Sequence, residues 1–349
     1  MPSPRRYCCS MQCARRANRA RRALVLVVAI AACGTDPRGP MGRVNVPAGA
    51  SFHTAAESLA AAGYIASPTL FSLYAKVSRK DRGIKAGSYV LQHGMSWSQL
   101  VDALRAGEGL ERRVTIPEGW SLAEIVPVLS RALGAPPESV EAAVRDTALL
   151  RELQVPTSTL EGYLFPDTYL FAYGTSPHAA VREMVRRFEA VWESPWPQLA
   201  NNQTLDDRLQ ELAISRNDVI TLASIVEKEA RVPEERPVIA AVYLNRLRRQ
   251  MPLQADPTVQ YALGVHHDRV YYKDLEVDSP YNTYRYRGLP PGPIASPGRA
   301  SLEAALFPAN VPYLFFVAHP DGHHEFRTTF RGHLEARQEV RRAREEHGR

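Results

Sequence analysis

The run "VITLASIVEKEARV" carries two glutamates, Glu227 and Glu229, at the end of an otherwise apolar stretch. A surface helix holds carboxylates at no cost, whereas a carboxyl against apolar walls has its charged form disfavoured and keeps its proton to higher pH. A glutamic acid protonated near neutral pH can donate to a leaving oxygen, which is general acid chemistry. Stepping 100° per residue from Val219 puts Leu222, Ala223, Val226 and Ala230 in one apolar arc with it. Lys228 then lies opposite, toward water, and Glu227 and Glu229 fall on opposite flanks, at about 80° and 280°. One turn before Glu227 stand Ala223 and Ser224, both small; one turn before Glu229 stand Ile225 and Val226, both bulky. Glu227 is therefore expected to look over a hollow with room for a ligand. The competing expectation is a boundary glutamate paired with Arg231, Arg236 or Arg246.

The elements that must hold this segment read as an α+β fold. Residues 43–115 form a small α+β unit: a strand in "GRVNV", helices in "SFHTAAESLAAAG" and "SPTLFSLYAKVS", a strand and third helix in "AGSYVLQHGMSWSQLVDALRAGEG", and a strand in "ERRVTIPEGW". Ser96 is a plausible helix N-cap there, and Gly63 and Gly107 are helix stops. Residues 116–205 alternate apolar and charged residues at helical spacing, interrupted by the aromatic "LEGYLFPDTYLF". A long helical segment follows over about 206–250 within a final region, 206–349. From Met251 the composition turns to Pro, Gly, Tyr and Asn, which predicts an extended loop set, and loops that long usually carry function. "YLFFVA" reads as a buried strand, and the tail after Gly332 as a charged helix.

The bulk numbers narrow the function. A chain of 349 residues, 45% hydrophobic and 23% charged, has ordinary globular composition with room for two or three small domains. Its formal charge of +6 would suit a nucleic-acid partner, but Arg5, Arg6, Arg15, Arg16, Arg19, Arg21 and Arg22 all precede the first acid, Asp36. The body is thus near neutral, and nucleic-acid binding loses its main support. The four cysteines lie at or before Cys33, so the body holds no disulfide and no thiolate metal site. The apolar run from Ala23 to Ala32 has signal-peptide length and is too short to span a bilayer, which takes about 20 residues. It ends "IAAC", which resembles the lipobox of bacterial lipoproteins. Residues 1–33 are therefore expected to be a lipoprotein-type signal with Cys33 as the lipidated residue, and 34–42 a tether; the plainer alternative is an uncleaved short anchor.

The motif set "LASIVEKEA", "ERPVIAAVYLNRLRRQMPLQADPTVQYALG" and "YNTYRYRGLPPGPIASPG", with "TIPEGWSL" and "LEGYLFPDTY" upstream, resembles the endolytic murein transglycosylases, the MltG or YceG-like family. The resemblance runs from about Arg43 to the final helix and is specific because several motifs occur in order. It implies a LysM-like subdomain at 43–115, no cofactor and no metal. The implied reaction cuts the β-1,4 bond between N-acetylmuramic acid and N-acetylglucosamine in nascent peptidoglycan, with the muramic C6 hydroxyl attacking its own C1 to leave a 1,6-anhydro end. Glycoside hydrolases commonly need two carboxylates; here the nucleophile belongs to the substrate, so one carboxyl can act first as acid and then as base. The family's catalytic glutamate matches Glu227.

By their chemistry, Gln254, Asp256 and Thr258 are candidates to hydrogen-bond sugar hydroxyls or N-acetyl groups, and Tyr281, Asn282 and Tyr284 to give stacking faces and amide contacts. Arg246 and Arg285 could grip a lactate or stem-peptide carboxylate, and Gly288–Ile294 would form a rigid wall. Loop packing and surface salt bridges are the plainer expectations for the tyrosines and arginines. The resemblance would place Thr at Ala255 and Asn at Ser296, departures judged to lie off the acid. Glu118, Glu161 and Asp167 read as caps or turn acceptors, with Glu161 or Asp167 alternatively lining the cleft as the second carboxylate of a water-using muramidase. A non-catalytic wall-binding lipoprotein is the other rival. His319, His323, His324 and His333 lack a helical ligand pair, and metal binding is the weaker reading. The resemblance also implies glycan strands as substrate, anchorage at the outer face of the inner membrane, and penicillin-binding proteins of the elongation machinery as neighbours.

Overall fold

The computed structural model describes residues 39–199, 203–264 and 270–347, with side chains to residue 342. Cys33 and the leader lie outside the described residues, as do His266 and His267. No helix among the described residues is long and apolar enough to cross a membrane. The chain divides into two compact units, one holding the residues through Arg112 together with Phe171–Gly174, the other Arg113–Leu170 and Thr175–Arg349.

The first unit runs β1 (Met41–Val46), α1 (Phe52–Ala61), α2 (Pro68–Val77), β2 (Gly87–Gln92) and α3 (Trp97–Ala106). β1 and β2 pair antiparallel with Val44 opposite Tyr89 and Val46 opposite Gly87. The period-2 alternation buries Val44 and Val46 while Arg43 and Asn45 face water. Phe71 of α2 stacks on Phe52 of α1 at 5.5 Å and meets the edge of Trp97 at 5.7 Å, closing a core with Leu59, Leu100 and Leu104. Ser96 and Gln99 form a capping box at the start of α3, and Gly107, at φ 78°, ends it in the left-handed conformation that glycine adopts freely.

In the second unit, β3 (Glu111–Thr115) and β4 (Thr168–Ala172), the strands in which the chain passes between units, pair with each other. Between and after them come α4 (Leu122–Leu133), α5 (Pro137–Ala143), α6 (Thr147–Glu152) and α7 (Pro177–Trp192). The stretch read as one long helix is three: α8 (Leu205–Leu212), α9 (Arg216–Glu229) and α10 (Arg236–Arg248). Ala213 turns left-handed at φ 55° to end α8, and Ser215 with Asp218 builds a capping box that restarts the chain as α9. Pro233 then separates α9 from α10, since a proline supplies no N–H to continue a helix. Helical periodicity carries across such breaks, which is why the pattern alone read as continuous.

α9 is buried on every side from Val219 to Val226, as expected of a helix at the centre of its layer. It packs against α10, α11 (Asp256–Leu263) and α12 (Arg299–Leu306). The "QADPT" stretch, within the region from Met251 read as an extended loop set, thus opens a helix. β5 (Phe315–Ala318) pairs antiparallel with β6 (His324–Arg327), and α13 (Phe330–His347) follows. β5 is only partly covered, in contrast to the buried strand expected of "YLFFVA"; the segment is one strand of a two-stranded hairpin. The histidines near it pair locally, His319 with Glu325, His323 with Asp321 and His324 with Glu235, while His333 packs between Phe315 and Phe330.

Candidate active site

Glu227, Lys228 and Glu229 occupy the last turn of α9, the first positions after eight consecutive buried residues. Two carboxylates at a helix C-terminus face the negative end of the helix dipole, a placement that costs each about 0.3–1 kcal/mol at the surface. The two side chains leave on opposite flanks, as the helical wheel indicated, and enter different surroundings.

The Glu227 side chain is 7% exposed. Its Oε2 accepts the Gly298 N–H at 3.0 Å, and its Oε1 stands 3.6 Å from the Arg236 guanidinium, which also donates to Ser301 Oγ. Arg236 was one of the three arginines named for a boundary pair, so that pairing and the candidate acid coincide in one site. The expected hollow over Ala223 and Ser224 is filled: Ser224 Oγ accepts the Ile294 N–H at 3.0 Å, so its small side chain admits the proline-rich segment. Residues 292–298 are buried, and Gly288–Ile294 is therefore mostly a strap pinned to α9 rather than the wall of an open groove; Ile294 alone of it lines the cleft described next.

The strap continues into the site. Ser296 O accepts the Gly119 N–H at 2.8 Å and Ser296 N donates to Trp120 O at 2.7 Å, which fixes the "PEGW" segment beside Glu227. Ser296, expected to lie off the acid, is thus two residues from the backbone donor that holds it. Lys228, expected to point to water, donates to Gly119 O at 3.3 Å, because the wheel knows nothing of the segment crossing that face. Gly119, Lys228, Glu161, Tyr261, Arg145 and Ile294 line a cleft of about 570 Å³. Glu118, next in sequence to Gly119, lines a second of about 380 Å³ with Asp167, Arg187 and Arg299.

Around Glu229 a denser cluster forms. Tyr243 donates to Glu229 Oε1 at 2.9 Å and Tyr284 donates to Asp256 Oδ1 at 2.5 Å. Burial pushes the Glu229 carboxyl up to about 7; the Tyr243 hydrogen bond opposes this, the Asp256 charge adds to it, and Arg246 opposes it. Strong desolvation therefore belongs to Glu229, the flank judged too bulky, while Glu227 has the Gly298 N–H at one oxygen and the Arg236 charge near the other.

Several residues expected to touch sugar are committed elsewhere. Thr258 is fully buried, donating to Ala255 O at 2.7 Å and sharing a hydrogen bond with Thr283. Asn282 is fully buried; its amide donates to Leu275 O and Val277 O, and its Oδ1 accepts from Tyr284 N. Arg246 is 7% exposed, donates to Leu314 O and Leu253 O, and lies over the Phe315 ring, so it braces backbone rather than gripping a carboxylate. Arg285 sits on the surface with Glu276 O and Asp278, the plainer of its two expectations. Tyr281 packs on Tyr261 at 4.8 Å. Gln254 and Asp256 are exposed, Gln254 in a left-handed turn at φ 51°. Polar residues in a long loop must satisfy the loop's own backbone first, and a sequence does not show which are left over. We expect Asn282→Ala to cost about 2–3 kcal/mol, from three lost hydrogen bonds with their partners left buried, read as a lower urea midpoint with unchanged substrate KM.

Of the upstream acids, Glu161 accepts the Leu122 N–H at 3.0 Å at the start of α4 and the Tyr261 hydroxyl at 3.2 Å, the capping reading for this residue. Asp167 accepts from Thr168 N and Arg187. Burial pushes Glu161 up to about 7. The folded carboxyl then holds its proton where the unfolded one, near 4.5, has lost it. Stability from this group is full below about pH 4.5 and falls as pH rises toward 7, by about 3 kcal/mol. Glu229 acts in the same window and with the same sign. Glu161→Gln is expected to remove the Glu161 share of that slope in unfolding curves taken from pH 4.5 to 8. Glu118 fits neither a cap nor a turn: no hydrogen bond among the described residues engages its carboxyl.

The YceG-like family model matches residues 44–339. The chain is 35% identical over 311 residues to an endolytic murein transglycosylase of Bacillus subtilis, covering 84% of this chain and 83% of that protein. It is 32% identical over 306 residues to one from Streptococcus pneumoniae, covering 79% of this chain and 54%, about half, of that longer protein. Among solved structures it is similar to a YceG-like protein of Listeria monocytogenes, with a TM-score of 0.59 and 34% identity, covering 84% of this chain and 97% of that one.

Proposed function

Because the chain belongs to the YceG-like family, we propose that it cleaves the glycan strands of peptidoglycan as an endolytic lytic transglycosylase in the cell envelope. The observation that carries the assignment to a residue is Glu227: a nearly buried carboxyl in the last turn of a buried helix, held by the Gly298 N–H and facing Arg236, beside the segment that borders both clefts. In the protonated state Glu227 gives its proton to the glycosidic oxygen as the bond from muramic C1 breaks, freeing the N-acetylglucosamine O4 as a hydroxyl. The muramic C6 hydroxyl attacks C1, and the Glu227 carboxylate takes the C6 proton. No water is consumed, the product is a 1,6-anhydro end, and the acid is restored. Gly298 N and Arg236 support the carboxylate between the two transfers. Asp256, Gln254, Tyr281 and Tyr284 remain candidates for sugar contacts, with the Tyr284 hydroxyl donating to Asp256.

The β1–α1–α2–β2 unit serves as a LysM-like glycan holder. Cys33 supplies a lipid anchor at the outer face of the inner membrane, and synthases of the elongation machinery, penicillin-binding proteins, supply the nascent strands. Mass spectrometry of uncrosslinked glycan after digestion tests the reaction: anhydro-muramic ends are expected, and reducing ends would replace this reading with a muramidase. One observation favours that second reading, namely that a second carboxyl, Glu118 rather than Glu161 or Asp167, stands near Glu227.

A further inference from the structure

We infer that Glu118 is a second catalytic carboxylate, facing the reacting sugar across Gly298 from Glu227 and carrying the negative charge that balances the positive charge developing at muramic C1. The inference rests on the proposed transglycosylase reading and adds to it a group that the one-carboxyl scheme does not use.

Gly298 defines the geometry. Its N–H holds Glu227 Oε2 at 3.0 Å. A Cβ built on the same residue would stand 2.6 Å from Glu118 Oε2 and closer still to Oε1. Amide nitrogen and Cβ of one residue are about 2.5 Å apart, so the two carboxyls are no more than about 8 Å apart, close enough for both to reach one glycosidic bond. The carboxyls are unlike in the way two roles require. Glu227 is enclosed and hydrogen-bonded. Glu118 is exposed, has no hydrogen bond among the described residues, and lines a cleft. Burial of its carboxyl raises its proton affinity, the Glu227 charge adds to the rise and Arg236 opposes it, so the three groups act on one another. A carboxyl with no hydrogen bond beside a second acid has its charged form disfavoured by that neighbour. A transition state with oxocarbenium character gives it a role, because a fixed negative charge near C1 lowers the barrier where the charge forms.

Gly298 also supplies an uncommon probe. Its φ of −75° and ψ of 169° suit any residue, so alanine there meets no backbone strain, and the atoms it would strike are the far end of a flexible side chain. Gly298→Ala therefore displaces Glu118 while leaving the N–H that holds Glu227. The experiment measures steady-state cleavage of uncrosslinked glycan by the full chain and by Glu118→Gln, Gly298→Ala and the double variant, with folding followed by circular dichroism. Glu118→Gln is expected to lower kcat 10- to 100-fold with KM changed less than threefold. Gly298→Ala is expected to lower it similarly, and the double variant to lose less than threefold beyond Glu118→Gln alone. Wild-type kcat in Glu118→Gln, a loss confined to KM, or fully multiplicative losses in the double variant would each overturn the inference. If wild type itself leaves strands intact, the transglycosylase reading falls and this inference with it; if wild type cleaves and Glu118→Gln matches it, only the role of Glu118 falls.

Discussion

Glu227→Gln is expected to lower strand cleavage by at least a thousandfold while leaving the fold intact. Positioned general acid–base catalysis contributes about 10²–10⁴-fold, and in the proposed reaction one carboxyl makes both proton transfers, so its loss stalls departure of the leaving sugar and activation of the C6 hydroxyl alike. Glutamine keeps the shape and an oxygen to accept the Gly298 N–H. The change leaves Arg236 with Ser301 as partner at a position 15% exposed, where water can solvate it, so thermal unfolding should shift little. Glu229→Gln is the matched control. Its partner Tyr243 can still donate to the amide oxygen, and substantial activity is expected to remain. Wild-type turnover in Glu227→Gln would remove the assignment, and an inactive, folded Glu229→Gln would transfer it to the other flank of α9.

The second large effect is structural. Gly162 of "LEGYLFPDTY" sits at φ 81°, and a Cβ there would stand 2.6 Å from Pro293 Cγ and 3.3 Å from Ile220 Cγ2. Gly162→Ala meets two costs together. A non-glycine residue in the left-handed region costs about 1–2 kcal/mol, and overpacking against a proline ring and a core isoleucine costs about 1–3 kcal/mol. A loss of about 3 kcal/mol is expected, which for a unit of this size lowers Tm by roughly 6–12 °C. The strap that carries Gly298 should loosen with it, so kcat should fall at temperatures where the variant is still folded. A Tm within 2–3 °C of wild type, taken as the limit of an ordinary surface change, would contradict the packing described for Gly162, Pro293 and Ile220.

How far the sequence could be read depended on how local each cause was. Ser96, Gly107 and the alternation around Val44 and Val46 are decided within a few residues, and caps and strand faces follow from them. The break of the 206–250 helix was missed because the apolar and charged period carries across it; Ser215 and Asp218 are a cap pair that could have marked the restart, and the left-handed Ala213 marks the stop. At the site, the wheel separated Glu227 from Glu229 correctly. It then assigned the hollow by counting small neighbours, although Ser224 is small to receive Ile294 N, a partner 70 residues away in sequence. Thr258 and Asn282 serve backbone carbonyls three to seven residues away, and Arg246 serves Leu253 O nearby and Leu314 O far along the chain, so all three work on backbone rather than on ligand. Glu118 was legible only as part of "PEGW"; its proximity to Glu227 exists through Gly298, far along the chain, and no local pattern announces it.

The account's central claim is that the sugar attacks itself and one carboxyl carries the proton both ways. Digestion of uncrosslinked glycan by the wild-type chain in ¹⁸O-labelled water, with mass analysis of the new muramic ends, addresses it most directly. Unlabelled 1,6-anhydro ends are the predicted result. Label at muramic C1 would contradict the account, since it would make water the nucleophile and require a second group as its base.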